Sequence, residues 1–120
     1  MPTYPDLWHR LMANSAEPEH GAACWTWTSK CDRWGYGRLN LWVPSERAVV
    51  TVQAHLMAYV VLRGEARTPQ QAWDEYQNFV LSGLELDHTC RNPGCINVDH
   101  LEPVTPAENC RRRNEWRLAA

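Results

Sequence analysis

Apolar positions recur along this chain at two periods, and the switches between them mark its elements. Leu7 and Leu11, with Trp8 and Met12 beside them, share one face of a helix over residues 5–14 that Pro5-Asp6 opens. It reads as a short N-terminal helix that packs as a lid. Residues 15–22, with Ser15, Glu17, Pro18 and Gly21, form a loop. The period then drops to two. Residues 24–28, 35–43 and 48–53 are β-prone and read as three strands, with turns at residues 30–34 and 44–47. Gly35 and Gly37 suit a bulge or a close backbone approach. Helical spacing returns over residues 54–62, where Leu56, Tyr59, Val60 and Arg63 align before Gly64 stops the helix. It recurs over residues 69–81, where Ala72, Trp73, Tyr76, Phe79 and Val80 align and Ser82-Gly83 ends the run. Residues 84–88 make a short strand, with residues 101–104 as its antiparallel partner. Thr105-Pro106-x-Glu108 starts a final helix, with Thr105 as N-cap, Pro106 at N1 and Glu108 at N3.

The sum is an α+β chain. A small antiparallel sheet and helices occupy residues 1–83, and strand, loop, strand and helix follow over about residues 84–117. At 120 residues one domain is expected. The acidic stretch at residues 69–81 could be an insertion. The chain is rich in loop formers, and a structural metal would help it fold.

Net charge is −2, so bulk charge announces no polyanionic partner. The distribution changes that picture. Eleven of the twelve basic residues are Arg, whose planar fork matches phosphate oxygens in pairs. Residues 30–63 carry five basic and two acidic groups, net +3, and residues 110–117 carry four Arg and one Glu, also net +3. Residues 64–87 carry five acids and Arg67, net −4. This fits a protein that orients on a polyanion, and it fits an ordinary solvated surface equally well. No apolar run is long enough to span a membrane, and the N-terminus shows no signal-peptide pattern, so an intracellular, cytoplasmic place is expected. There, five cysteines favour metal ligands over disulfides.

The candidate chemistry is concentrated in residues 86–113. Cys90, Cys95 and His100 supply three corners of a tetrahedral zinc site across the turn formers Asn92-Pro93-Gly94. The fourth corner is Cys24, Cys31 or Cys110. Cys24 is favoured, because it begins a strand and would staple the N-terminal sheet to the loop. Buried free thiols and a Cys90–Cys95 disulfide are the other readings. Asp87 and Asn109 offer hard oxygens suited to Mg²⁺, and His88 is placed to take a proton near neutral pH. His9 and His20 read as surface residues, His55 as a packed helix residue, and Cys31 and Cys110 as free thiols.

The run Asp87-His88-x-Cys90-x-Asn92-x-x-Cys95-x-Asn97-x-x-His100-Leu101-Glu102, followed by Val104-Thr105 and Glu108-Asn109, resembles the motif of the HNH endonucleases. It is closest to the phage-type members and to the related His-Cys box homing endonucleases. Cys24-Trp25-x-Trp27, Gly35-Tyr36-Gly37-Arg38 and Ala54-His55-x-x-Ala58-Tyr59 extend the resemblance over residues 24–113. It implies a ββα-metal fold and a metal-dependent endonuclease that cuts DNA to 5′-phosphate and 3′-hydroxyl ends. His88 takes the place of the general base. Asn109 takes the place of the ligand to a catalytic Mg²⁺ or Mn²⁺, and Asp87 that of a second ligand. Cys24, Cys90, Cys95 and His100 take the places of the structural Zn²⁺ set. Asn97, followed here by Val98 where relatives carry Pro, shapes the loop. Leu56 stands where relatives carry Arg, so Arg38 or Arg63 would have to make that phosphate contact. Arg33, Arg38, Arg111, Arg112 and Arg113 are the expected DNA contacts, with Trp34 the best-placed aromatic. A homodimer stays open. The competing class is a zinc-stabilised DNA-binding module without catalysis.

Overall fold

The computed structural model describes residues 4–64 and 66–119. The side chains of Pro5 and Asp6, read above as the helix entry, lie outside the described residues. In order, the elements are α1 (Tyr4–Ala13), β1 (Arg38–Val43), β2 (Ala48–Gln53), α2 (Ala54–Arg63), α3 (Pro69–Leu81), β3 (Glu85–His88), β4 (Leu101–Val104) and α4 (Pro106–Ala119). The chain is α+β, with two small antiparallel sheets and four helices among the described residues.

β1 and β2 form a hairpin whose register pairs Arg38 with Gln53 and Val43 with Ala48. Strict alternation on β1 buries Leu39, Leu41 and Val43 and turns Arg38, Asn40 and Trp42 outward. Those buried side chains meet Met57, Ala58 and Val61 of α2 and Ala72 of α3 in one core. α3 starts as helix chemistry predicts: Pro69 sits at N1 and the Thr68 hydroxyl accepts from the Gln71 amide. It is tied to the hairpin where the Gln53 amide donates to the Tyr76 hydroxyl, 3.1 Å.

The first helix packs as expected, through Leu7 and Leu11, which have no exposed surface and belong to the core. Three expectations are corrected. Residues 24–28 form no strand. Thr26 bridges Cys95 on one side and Trp27 bridges Ser15 on the other, so the segment is held between two loops without a continuous ladder. The next strand starts at Arg38, not at residue 35, because Gly37 pairs in isolation with Cys31. There a Cβ would stand 2.6 Å from the Trp27 ring, so only glycine lets backbone and indole meet. The expected three-stranded sheet is therefore a two-stranded hairpin. On α3, Val80 is 55% exposed and drops out of the predicted face.

β3 and β4 pair as expected, with Asp87 opposite Glu102 and His88 opposite Leu101. The connection between them carries Cys90 and Cys95 and ends in a 3₁₀ turn, Val98–His100, that the sequence pattern did not reveal. The Thr105 hydroxyl caps α4 by accepting from the Glu108 amide, 3.1 Å.

Candidate metal centre and active site

The four residues named for zinc come together. The ligand atoms of Cys24, Cys90, Cys95 and His100 all lie within 4.8 Å of one another. His100 Nδ1 is 3.7 Å from Cys24 Sγ and 3.5 Å from Cys95 Sγ. A tetrahedral ion with bonds of about 2.3 Å to sulfur and 2.0–2.1 Å to nitrogen puts such atoms roughly 3.6 Å apart. The donor set fits zinc. His100 is also oriented for it: Nε2 donates to the Ala22 carbonyl at 2.9 Å, which leaves the Nδ1 lone pair facing the sulfurs. Burial pushes the Cys95 thiol up to about 12 and raises Cys90, so a cation beside them would favour their thiolates. Cys31 and Cys110 are exposed free thiols elsewhere.

Backbone bonds explain how a distant Cys24 arrives. The Ile96 amide donates to the Trp25 carbonyl at 2.7 Å, and the Trp27 amide to the Gly94 carbonyl at 2.8 Å. Asn97 works on both sides of the joint. Its Oδ1 accepts from the Asp99 amide and its Nδ2 donates to the Ala23 carbonyl.

His88 is buried at the end of β3, and its Nε2 lies 3.0 Å from the Cys95 carbonyl. A carbonyl only accepts, so Nε2 carries the hydrogen and the neutral ring keeps its lone pair on Nδ1. Burial holds its pKa below the ordinary value, against the Cys95 bond and Asp87, which raise it. Two rings pack on it: His55, with centroids 4.7 Å apart, and Tyr36, at 5.7 Å. His55 is packed, as expected, and burial lowers its pKa to about 3. Among the described residues its Nδ1 has no hydrogen-bond partner.

An opening of about 460 Å³ is lined by His88, Asp87, Glu85 and Asn109, with Arg91 and Arg113 at its edge. Asn109 Nδ2 donates to Glu85 Oε2 at 2.7 Å. Glu85 escaped the sequence reading; it lies two residues before Asp87 on a strand, a spacing that puts both on one face. Asp87 is 5% exposed and both its oxygens are taken, Oδ1 by Arg91 at 3.2 Å and Oδ2 by Arg112 at 3.1 Å.

The arginines divide. Arg112 also pairs with Glu102 and Glu108, and Arg111 with Glu108 and Glu115. Their charge is spent inside the molecule. Arg113 has no ion pair among the described residues and lines the opening. Arg38 lines a different opening, beside Arg10 and Lys30, and Arg63 pairs with Asp99 at 3.0 Å. Neither reaches the opening at His88 to replace the arginine that Leu56 lacks. His9 and His20 are exposed.

No protein-family profile matches the chain, and no solved structure matches it. The chain is similar to the uncharacterized gene 5.3 protein of Enterobacteria phage T3, 33% identical over 45 residues. That stretch is 38% of this chain and 45% of the phage protein, less than half of its length. No helix among the described residues is long and apolar enough to cross a membrane.

Proposed function

We propose that the protein is an HNH-type endonuclease that hydrolyses DNA phosphodiester bonds, with β3, β4 and α4 as the ββα unit and Zn²⁺ as its structural ion. The observation that carries this reading is the Cys95 carbonyl. It fixes His88 as the Nε2–H tautomer with its lone pair on Nδ1, and His88 lines an opening that also holds Asn109. In this arrangement His88 takes a proton from water at Nδ1 as the water attacks phosphorus. The 3′-oxygen leaves, and the ends are 5′-phosphate and 3′-hydroxyl. Arg113 is placed to attract the phosphate.

Mg²⁺ fits the oxygens of Asn109 and Glu85, whose side chains already meet in the opening where Asn109 Nδ2 donates to Glu85 Oε2. A divalent cation held there supplies neutralisation of the phosphate and of the leaving oxygen. Asp87 joins that set only by releasing Arg91 and Arg112. Zinc would serve position alone: Cys95 would hold the ion through sulfur and holds His88 through its carbonyl.

The test is supercoiled plasmid with purified protein, with Mg²⁺ or EDTA. Cleavage is expected with Mg²⁺ only, and His88→Ala is expected to lower its rate on the order of 10²–10⁴-fold at unchanged zinc content. Wild-type rates from His88→Ala would end the role of His88 as base, and DNA bound but left uncut by the wild-type protein would favour a zinc-stabilised DNA-binding module.

A further inference from the structure

Two tryptophans stand in water yet line the same opening as His88. Trp34 is 63% exposed, in the turn before β1, and Trp116 is 54% exposed, near the end of α4. Each lies against a guanidinium, Arg33 at 4.2 Å from the Trp34 ring centre and Arg91 at 5.6 Å from that of Trp116. The turn under Trp34 is built rather than loose. Asp32 Oδ1 accepts from the amides of Trp34 and Tyr36, at 2.9 and 3.1 Å. Gly35 holds a positive φ of 89°, and a Cβ there would stand 3.2 Å from Pro93 of the zinc loop. Trp34 is thus presented on a platform braced against the metal centre.

Exposed indoles cost hydrophobic free energy, and neither ring contributes to the core. Their faces suit a flat, weakly polar partner beside negative charge, which is a nucleobase on its phosphate strand. Paired bases inside a duplex show only their edges in the grooves. An indole face reaches a base only when that base is unstacked. The positive rim is small as well, since Arg111 and Arg112 are neutralised.

We propose that Trp34 and Trp116, with Arg33 and Arg91, form a base-stacking site around the opening at His88. The preferred substrate is therefore DNA with unpaired nucleotides at the scissile bond, single strands or frayed and gapped duplexes, over intact duplex. This rests on the nuclease reading for its chemistry, but the stacking site is testable by binding alone.

The probe is a short fluorescent oligonucleotide, alone or annealed to its complement, titrated by anisotropy with zinc-loaded His88→Ala protein so that nothing is cut. The single strand should bind at least about tenfold tighter than the duplex and should quench the indole fluorescence. Trp34→Ala and Trp116→Ala in that background should each weaken single-strand binding by about tenfold, with little change for duplex. Trp34→Phe, which keeps a ring on the same turn, should retain most of the affinity. Duplex bound as tightly as the single strand, or single-strand affinity untouched by both alanine variants, overturns the proposal. Cleavage of the same single strand and duplex by wild-type protein with Mg²⁺ separates the two readings. Cleavage without strand preference ends the stacking site alone, and strand preference without cleavage by wild-type protein ends the nuclease assignment alone.

Discussion

At the residue scale, Asp87 and Asn109 look alike in a motif and differ in place. Asp87 is buried between two guanidiniums, one of them projecting from α4. Asn109 faces the opening with Glu85. The two should therefore fail differently. Asn109→Ala is expected to raise the Mg²⁺ concentration needed for half-maximal cleavage, with stability nearly unchanged. Asp87→Ala is expected to leave that concentration alone and to lower stability, because Arg112 loses a buried partner. A Mg²⁺ titration of cleavage and a urea melt, run on both variants, check this. An Asp87→Ala protein that behaves like Asn109→Ala would return Asp87 to the cation.

At the element scale, α1 and α4 are held by opposite physics. α1 is held by burial: Leu7 and Leu11 are fully enclosed. Leu11→Ala should cost about 2–5 kcal/mol in urea denaturation, as for other enclosed leucines; a value near zero would take α1 out of the core. α4 exposes most of its surface and is held by charge. The Arg111 and Arg112 hydrogen bonds keep the Glu108 carboxyl at about 2, well below its ordinary 4.5. A depressed carboxyl contributes stability that is present above 4.5 and lost as pH falls toward 2. The stability gap between wild type and Glu108→Gln should be fully open near neutral pH and close over that window, followed by denaturant melts at stepped pH. A gap independent of pH would remove Glu108 from α4's support.

At the scale of the whole molecule, the candidate metal centre draws its residues from two parts of the fold. Cys24 precedes the β1–β2 hairpin, while Cys90, Cys95 and His100 belong to the β3–β4 connection. Binding an ion there closes a long loop, so its free energy is shared by both parts. Cys24→Ser should lower zinc content, about one ion per chain in the wild type, and lower the midpoint of thermal unfolding. Cys110→Ser should change neither. The opposite ranking, by metal analysis and a thermal melt, would assign the fourth corner elsewhere.

Much of this was decided by local pattern. Period-two alternation set β1 and β2, and Thr105, Pro106 and Glu108 set the start of α4, because strand faces and helix caps are made by neighbours in sequence. The candidate metal-ligand cluster was readable too, since three of its members lie within eleven residues, Cys90 to His100. Tertiary structure decided what neighbours cannot. Residues 24–28 alternate like a strand, but their partners are residues 14–16 and the zinc loop, so no ladder forms. Arg111 and Arg112 count as positive in any sum along the chain, and folding brings them against Glu108, Glu115, Glu102 and Asp87. The hydrogen on His88 Nε2 follows from a carbonyl seven residues away. The shared opening of Trp34 and Trp116 spans 82 positions. Charge pairing, tautomer and shared cavities depend on distance in space, and only the packed chain sets that distance.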